Sequence, residues 1–127
     1  MNEAARRNDV PALEEFLQKG ASVDTVNAYG NTPLHDASLV GGKEAVTFLL
    51  EHGGSIDKKN YRGHTPLWEA ATSGQASTVE ILLAHGADPR ITSPSGRTLL
   101  EDVQALRAGG PDYEKSYQLV SRAVGSK

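Results

Sequence analysis

Cysteine is missing altogether. Without it there is no disulfide framework, thiolate zinc site or cysteine nucleophile. Its absence fits an intracellular protein, cytoplasmic or nuclear. Long apolar runs are missing too: none approaches the ~20 residues that a membrane helix needs, so no membrane association is expected. The opening MNEAARRND is charged and no apolar stretch follows it, so it does not read as a secretory signal. An N-terminus this abrupt is also what a segment of a longer chain would show.

An excess of one charge is lacking as well. The chain has 13 basic and 16 acidic side chains, a net charge of −3, and no basic stripe. That argues against direct nucleic-acid binding and leans slightly towards a basic partner if the acids cluster. No G-x-S-x-G, H-E-x-x-H or P-loop occurs. Of the four histidines, His35, His52, His64 and His85, the repeat-related His52 and His85 have no thiolate or carboxylate at metal-ligand spacing. His52 and His85 fall just before the glycine that ends a helix, where a partial positive charge is favourable. No enzyme activity, metal or cofactor is expected.

What the sequence does contain is a repeat. Its 127 residues suit one domain (1–127), and 38% hydrophobic with 23% charged residues is ordinary for a globular chain. Gly30, Gly63 and Gly96 stand 33 residues apart. Thr32, Thr65 and Thr98 keep that register, as do Leu34, Leu67 and Leu100, and Ala4, Ala37, Ala70 and Val103. Leu13, Val46 and Val79 follow, then Leu17, Leu50 and Leu83, then Gly20, Gly53 and Gly86. A fixed period of this length is the mark of a stacked-repeat architecture. AYGNT, YRGHT and PSGRT read as turns. Thr32 and Thr65 read as helix N-caps, each followed by a proline at the first helical position. The small residues Ala37, Ser38, Ala70 and Ala71 let a neighbouring helix approach closely. A second helix carries Val46, Leu49 and Leu50, or Val79, Leu82 and Leu83, at the i, i+3, i+4 spacing of a core-facing stripe. It stops at Gly53 or Gly86.

The motifs TPLHDAS (32–38) and TPLWEAA (65–71), with VTFLLEHGGSID and VEILLAHGADPR behind them, closely resemble the ankyrin-repeat family. The resemblance covers essentially the whole chain. It implies an all-α fold: an ankyrin-repeat solenoid of stacked helix-turn-helix units with β-turn fingers. The units are expected at about 1–26, 27–59, 60–92 and 93–124. The first begins inside its first helix. The fourth is lengthened by a loop at 108–112 and closes with a polar capping helix at about 113–124, where Tyr113 and Tyr117 pack the cap. The family also implies a protein-protein interaction module, intracellular and monomeric by itself, with His35 bonded to local backbone and threonine.

Ankyrin domains bind through their turn tips and the inner face of the first helix of each unit. The tips here are Ala28, Tyr29 and Asn31; Tyr61, Arg62 and His64; and Pro94, Ser95 and Arg97. Helical spacing groups Glu3 with Arg6 and Arg7, Asp36 with Leu39 and Val40, Glu69 with Thr72 and Ser73, and Asp102 with Ala105 and Leu106. Glu3, Asp36, Glu69 and Asp102 are all acidic and stand 33 residues apart, with Glu101 adding charge at one end. Two explanations compete. Acids suit the first turn of any helix through its dipole. Alternatively, a ladder of acids roughly 25–30 Å long, from helices packed roughly 8–10 Å apart, would meet about eight residues of an extended basic peptide. Such a peptide needs an anchor. Trp68, in place of the motif histidine and beside Tyr61 and Tyr29, is the candidate, unless it packs between adjacent turns. The acid after the motif's histidine or tryptophan resembles the histone-tail-reading ankyrin domains of chromatin and DNA-repair scaffold proteins. Against this, Arg6, Arg7, Arg62, His64 and Arg97 make the turn rim partly basic. The alternative is a regulatory or inhibitory subunit that docks on a folded enzyme through Tyr29, Tyr61 and Arg62.

Overall fold

The computed structural model describes residues 1–125, so the last two residues of the expected 1–127 domain lie outside the described residues. Helices form in pairs: α1 (Asn2–Arg6) with α2 (Val10–Gln18), α3 (Pro33–Val40) with α4 (Lys43–Glu51), α5 (Pro66–Thr72) with α6 (Ala76–Ala84), and α7 (Leu99–Ala105) with α8 (Pro111–Gly125). Among the described residues the only β pairing is an isolated antiparallel bridge between Thr92 and Thr98.

Local chemistry sets where the inner helices start. Thr32, Thr65 and Thr98 each leave an extended backbone and accept the amide proton of the residue three positions on, at His35, Trp68 and Glu101. Pro33 and Pro66 then occupy the first helical position, where a missing N–H costs nothing. The helices are short, so their stability comes from stacking rather than propensity.

The stack has two layers. α1, α3, α5 and α7 lie side by side, and α2, α4, α6 and α8 form the second row behind them. Between the rows Leu13, Leu34, Val46, Leu49, Leu67, Val79, Leu82, Leu99 and Val120 are removed from water, and Ala5, Ala37, Ala45 and Ala70 let the backbones close up. Each fully buried aliphatic side chain contributes about 1.5–3 kcal/mol. The loops stack as well: the Asp24 carboxylate accepts from the Ser55 amide at 3.0 Å and its hydroxyl at 2.7 Å, and Asp57 repeats the contact with the Asp88 amide at 3.0 Å.

The lengthened last unit departs from its neighbours. A 3-10 turn over Arg107–Gly109 takes up the extra residues, and Pro111 opens α8 two residues earlier than the sequence suggests. Arg107 lies 4.2 Å over the Tyr117 ring and donates to Glu114 at 3.0 Å. These contacts tie the turn to the closing helix.

Candidate functional site: a cleft between the turn fingers and the inner helices

The fingers that precede α3 and α5 are built by asparagine. The Asn27 side-chain oxygen accepts from the amides of Tyr29 at 2.9 Å and Asn31 at 3.1 Å. Asn60, 33 residues later, does the same for Arg62 and His64, both at 3.0 Å. Each asparagine thus folds its own turn, the local competition with regular structure that short polar side chains provide. Adjacent fingers are joined by the Tyr61 amide donating to the Tyr29 carbonyl at 3.1 Å. Gly30, at φ +74°, lies beneath the Tyr61 ring, and Gly63, at φ +79°, would bring a Cβ within 2.7 Å of Pro94. Both positions need glycine for the backbone angle and for the close approach.

The same asparagines reach the acids. Asn60 donates from its amide nitrogen to Glu69 at 3.1 Å and to the Asn31 oxygen at 2.8 Å. Asp36 is fully buried and accepts from Asn2 at 2.8 Å, Arg6 Nε at 3.2 Å, and Asn27 and Asn31 at 3.5 Å. In the last finger Ser93 stands where asparagine would, and Asp102 turns to Arg97 at 2.6 Å instead. Glu3 pairs with Arg7 at 2.7 Å. Glu101 closes a capping box on α7, accepting the Thr98 amide at 2.8 Å; this bond, more than the Thr98 hydroxyl, holds its carboxyl below the usual range. The row of acids is therefore not an open ladder. Asp36 ties α1 to α3 through Asn2 and Arg6, Glu69 is held by Asn60 of its finger, and Glu101 is a cap.

Trp68 also needs correction as an anchor. It is 2% exposed and stacks on the His64 ring at 5.1 Å with planes 7° apart. It sits between adjacent turns and presents no face to a partner. His64 Nδ1 lies 3.5 Å from Glu69, too far and too poorly aligned for a firm hydrogen bond.

His35, in the equivalent place one unit earlier, shows what that position does with a histidine. Its Nδ1 accepts from the Thr32 amide at 3.1 Å, and its Nε2 bonds the His64 carbonyl at 2.9 Å. An accepting Nδ1 and a donating Nε2–H specify the neutral ring. Burial pushes its pKa below the ordinary 6.5, against the pull of the His64 carbonyl. The unfolded chain therefore takes up the proton at a higher pH than the folded one. Stabilisation by neutral His35 is complete above 6.5 and is lost as the pH falls through 6.5 towards the lower folded value. Thermal melts between about pH 7 and about pH 5 are expected to show falling stability, with a shallower fall in His35→Gln. An equally steep fall in that variant would assign the effect elsewhere.

With the acids accounted for, a cleft of about 490 Å³ remains between the first two fingers and the inner helices. Its walls include Tyr29, Tyr61, Arg62, Leu39, Glu69, Arg6 and Asn31. Tyr29 is 64% and Tyr61 75% exposed, a large apolar area to leave in water. Of the expected site residues, Tyr29, Tyr61, Arg62, Leu39 and Glu69 come together here. Asp36 lies beneath, holding Arg6. Val40 is exposed at the end of α3 and Ser73 is half-buried at the end of α5, neither on the cleft wall. The Thr72 hydroxyl is occupied, donating to the Trp68 carbonyl at 2.8 Å. Asn27 and Asn60 escaped the sequence reading, although their shared register, nine residues before an acid each time, was available.

No helix among the described residues is long and apolar enough to cross a membrane. A search of curated proteins finds no match to this chain. A comparison with known families matches ankyrin repeats, in three copies, to residues 1–93. The matched stretch contains the threonine-capped inner helices α3 and α5, the paired helices behind them, and both asparagine-built fingers. The chain belongs to the ankyrin-repeat family.

Proposed function

We propose that this domain binds another protein through the cleft between its fingers and inner helices, with Tyr29, Tyr61 and Leu39 as the apolar contacts and Arg62 at the rim. Ankyrin repeats are in general protein-protein interaction modules and typically not enzymes. The observation that carries the proposal is the pair of exposed tyrosines over a single cleft. Tyrosine is among the residues that most often dominate binding energy when an interface closes over it.

A basic peptide such as a histone tail gains little support from this geometry. It would have to displace Arg6 and Asn2 from Asp36, or Asn60 from Glu69. An exposed ion pair is worth only about 0–1 kcal/mol, which does not offset bonds already made. A regulatory subunit that docks on a folded enzyme keeps its support, because it would use the same Tyr29, Tyr61 and Arg62. On either version the domain is a monomer that acts by occupying a partner.

Tyr61→Ala is expected to weaken a co-purified partner by about tenfold or more, measured by calorimetry. Glu51→Ala, on the outer helix α4, should leave affinity unchanged. The opposite pattern would move the site to the outer row.

A further inference from the structure

We infer that the occupant of the cleft is an acidic, extended segment of a partner protein, with an apolar side chain seated between Tyr29 and Tyr61. This rests on the cleft proposed above and adds the chemistry of what fills it.

The inference follows from the fate of each charge near the cleft. Asp36 has no exposure at all, and the Glu69 side chain is 13% exposed with Asn60 on one oxygen. Glu3 is held by Arg7 and Asp102 by Arg97. The cations are placed the other way. Arg6 keeps 47% of its side chain exposed while it holds Asp36. Arg62 is exposed, and so are Lys58 and Lys59 on the same finger. Among the described residues none of these last three has an ion-pair partner. A chain with a net charge of −3 thus has each of these acids buried, bonded or ion-paired, while Arg62 stands on the cleft wall without an ion-pair partner among the described residues.

Shape argues for a peptide. The cleft holds a few side chains, not a folded domain. Its lining includes both tyrosines and Leu39, which suits one apolar residue with carboxylates on either side. A nucleic acid needs a continuous basic track, and here the unpaired cations sit on one finger.

The test is a selection of displayed peptides on the immobilised full chain, followed by calorimetry with the enriched sequences. Enriched peptides should carry net negative charge with an apolar residue, and affinity should fall as salt is raised. Arg62→Glu, which has no internal partner to lose, should weaken binding about tenfold with an unchanged melting temperature. Tyr61→Ala should weaken it at least as much, and Tyr61→Phe, which keeps the ring over Gly30, should retain most of it. Neutral or basic enriched peptides, or indifference to Arg62→Glu, would overturn the acidic occupant. If Tyr61→Ala still weakened those peptides, the cleft itself would stand. Indifference to both changes would remove the cleft as well. A selection that enriches nothing overturns the linear segment, since a groove built for one must retain one. A twelve-residue oligothymidylate that competes and depends on Arg62 would replace the protein segment with single-stranded nucleic acid.

Discussion

Replacing Asp36 with alanine is expected to lower the unfolding free energy by about 3 kcal/mol, the lower end of the range for breaking a buried ion pair. The lower end applies because Arg6 is half exposed and regains water when released. The loss is still large, because every group around Asp36 is a donor: Asn2, Arg6, Asn27 and Asn31 all point nitrogen at its two oxygens. Only an acceptor with no proton of its own fits such a site. Asp36→Asn should therefore destabilise as well, although less, since its amide nitrogen would face another donor. Chemical denaturation of both variants measures this. Shifts below about 0.5 kcal/mol, the ordinary range for surface substitutions, would show that the carboxylate does not tie α1 to α3.

The second large effect is at Trp68. Truncation to alanine leaves a cavity between adjacent turns and should cost about 3–5 kcal/mol, a large share of the about 5–15 kcal/mol that holds a typical domain together. Trp68→His should cost roughly half of that. The histidine could repeat what His35 does, accepting from the Thr65 amide and donating to the Arg97 carbonyl, and each regained hydrogen bond is worth about 1 kcal/mol. Thermal unfolding of the two variants side by side separates packing from hydrogen bonding. If histidine were no better than alanine, the parallel between the two units would fail.

Much of the architecture is legible in the sequence, because its determinants are local. Thr32 and Thr65 cap, the prolines behind them start a helix, and the aliphatic columns choose which face is buried. The site was harder for a physical reason. Whether Asp36 faces water depends on Asn2 and Arg6, which belong to the neighbouring helix of the stack, and periodicity gives the register of a residue without what lies across from it. The same limit applies to Trp68, whose hydropathy fits an anchor and a core residue equally well. Glu101 is different. Thr98 and Glu101 form the threonine-x-x-glutamate pattern of a capping box, so its structural role was legible and the acidic series obscured it. The asparagine column at Asn27 and Asn60 was also in plain register, and internal partners explain these two acids better than a ligand does: Glu69 is bonded by Asn60 of its finger, and Asp36 by Asn2 and Arg6 of the neighbouring helix.

The central claim is that the acids at 36 and 69 serve the fold and that the aromatic, cationic cleft serves binding. Amide hydrogen exchange of the domain, free and saturated with its partner, tests it most directly. Protection on binding should gather at the amides of Tyr29, Asn31, Tyr61 and Arg62 and along α3, leaving α2, α4 and α6 unchanged on their outer faces. Protection confined to those outer helices would contradict it.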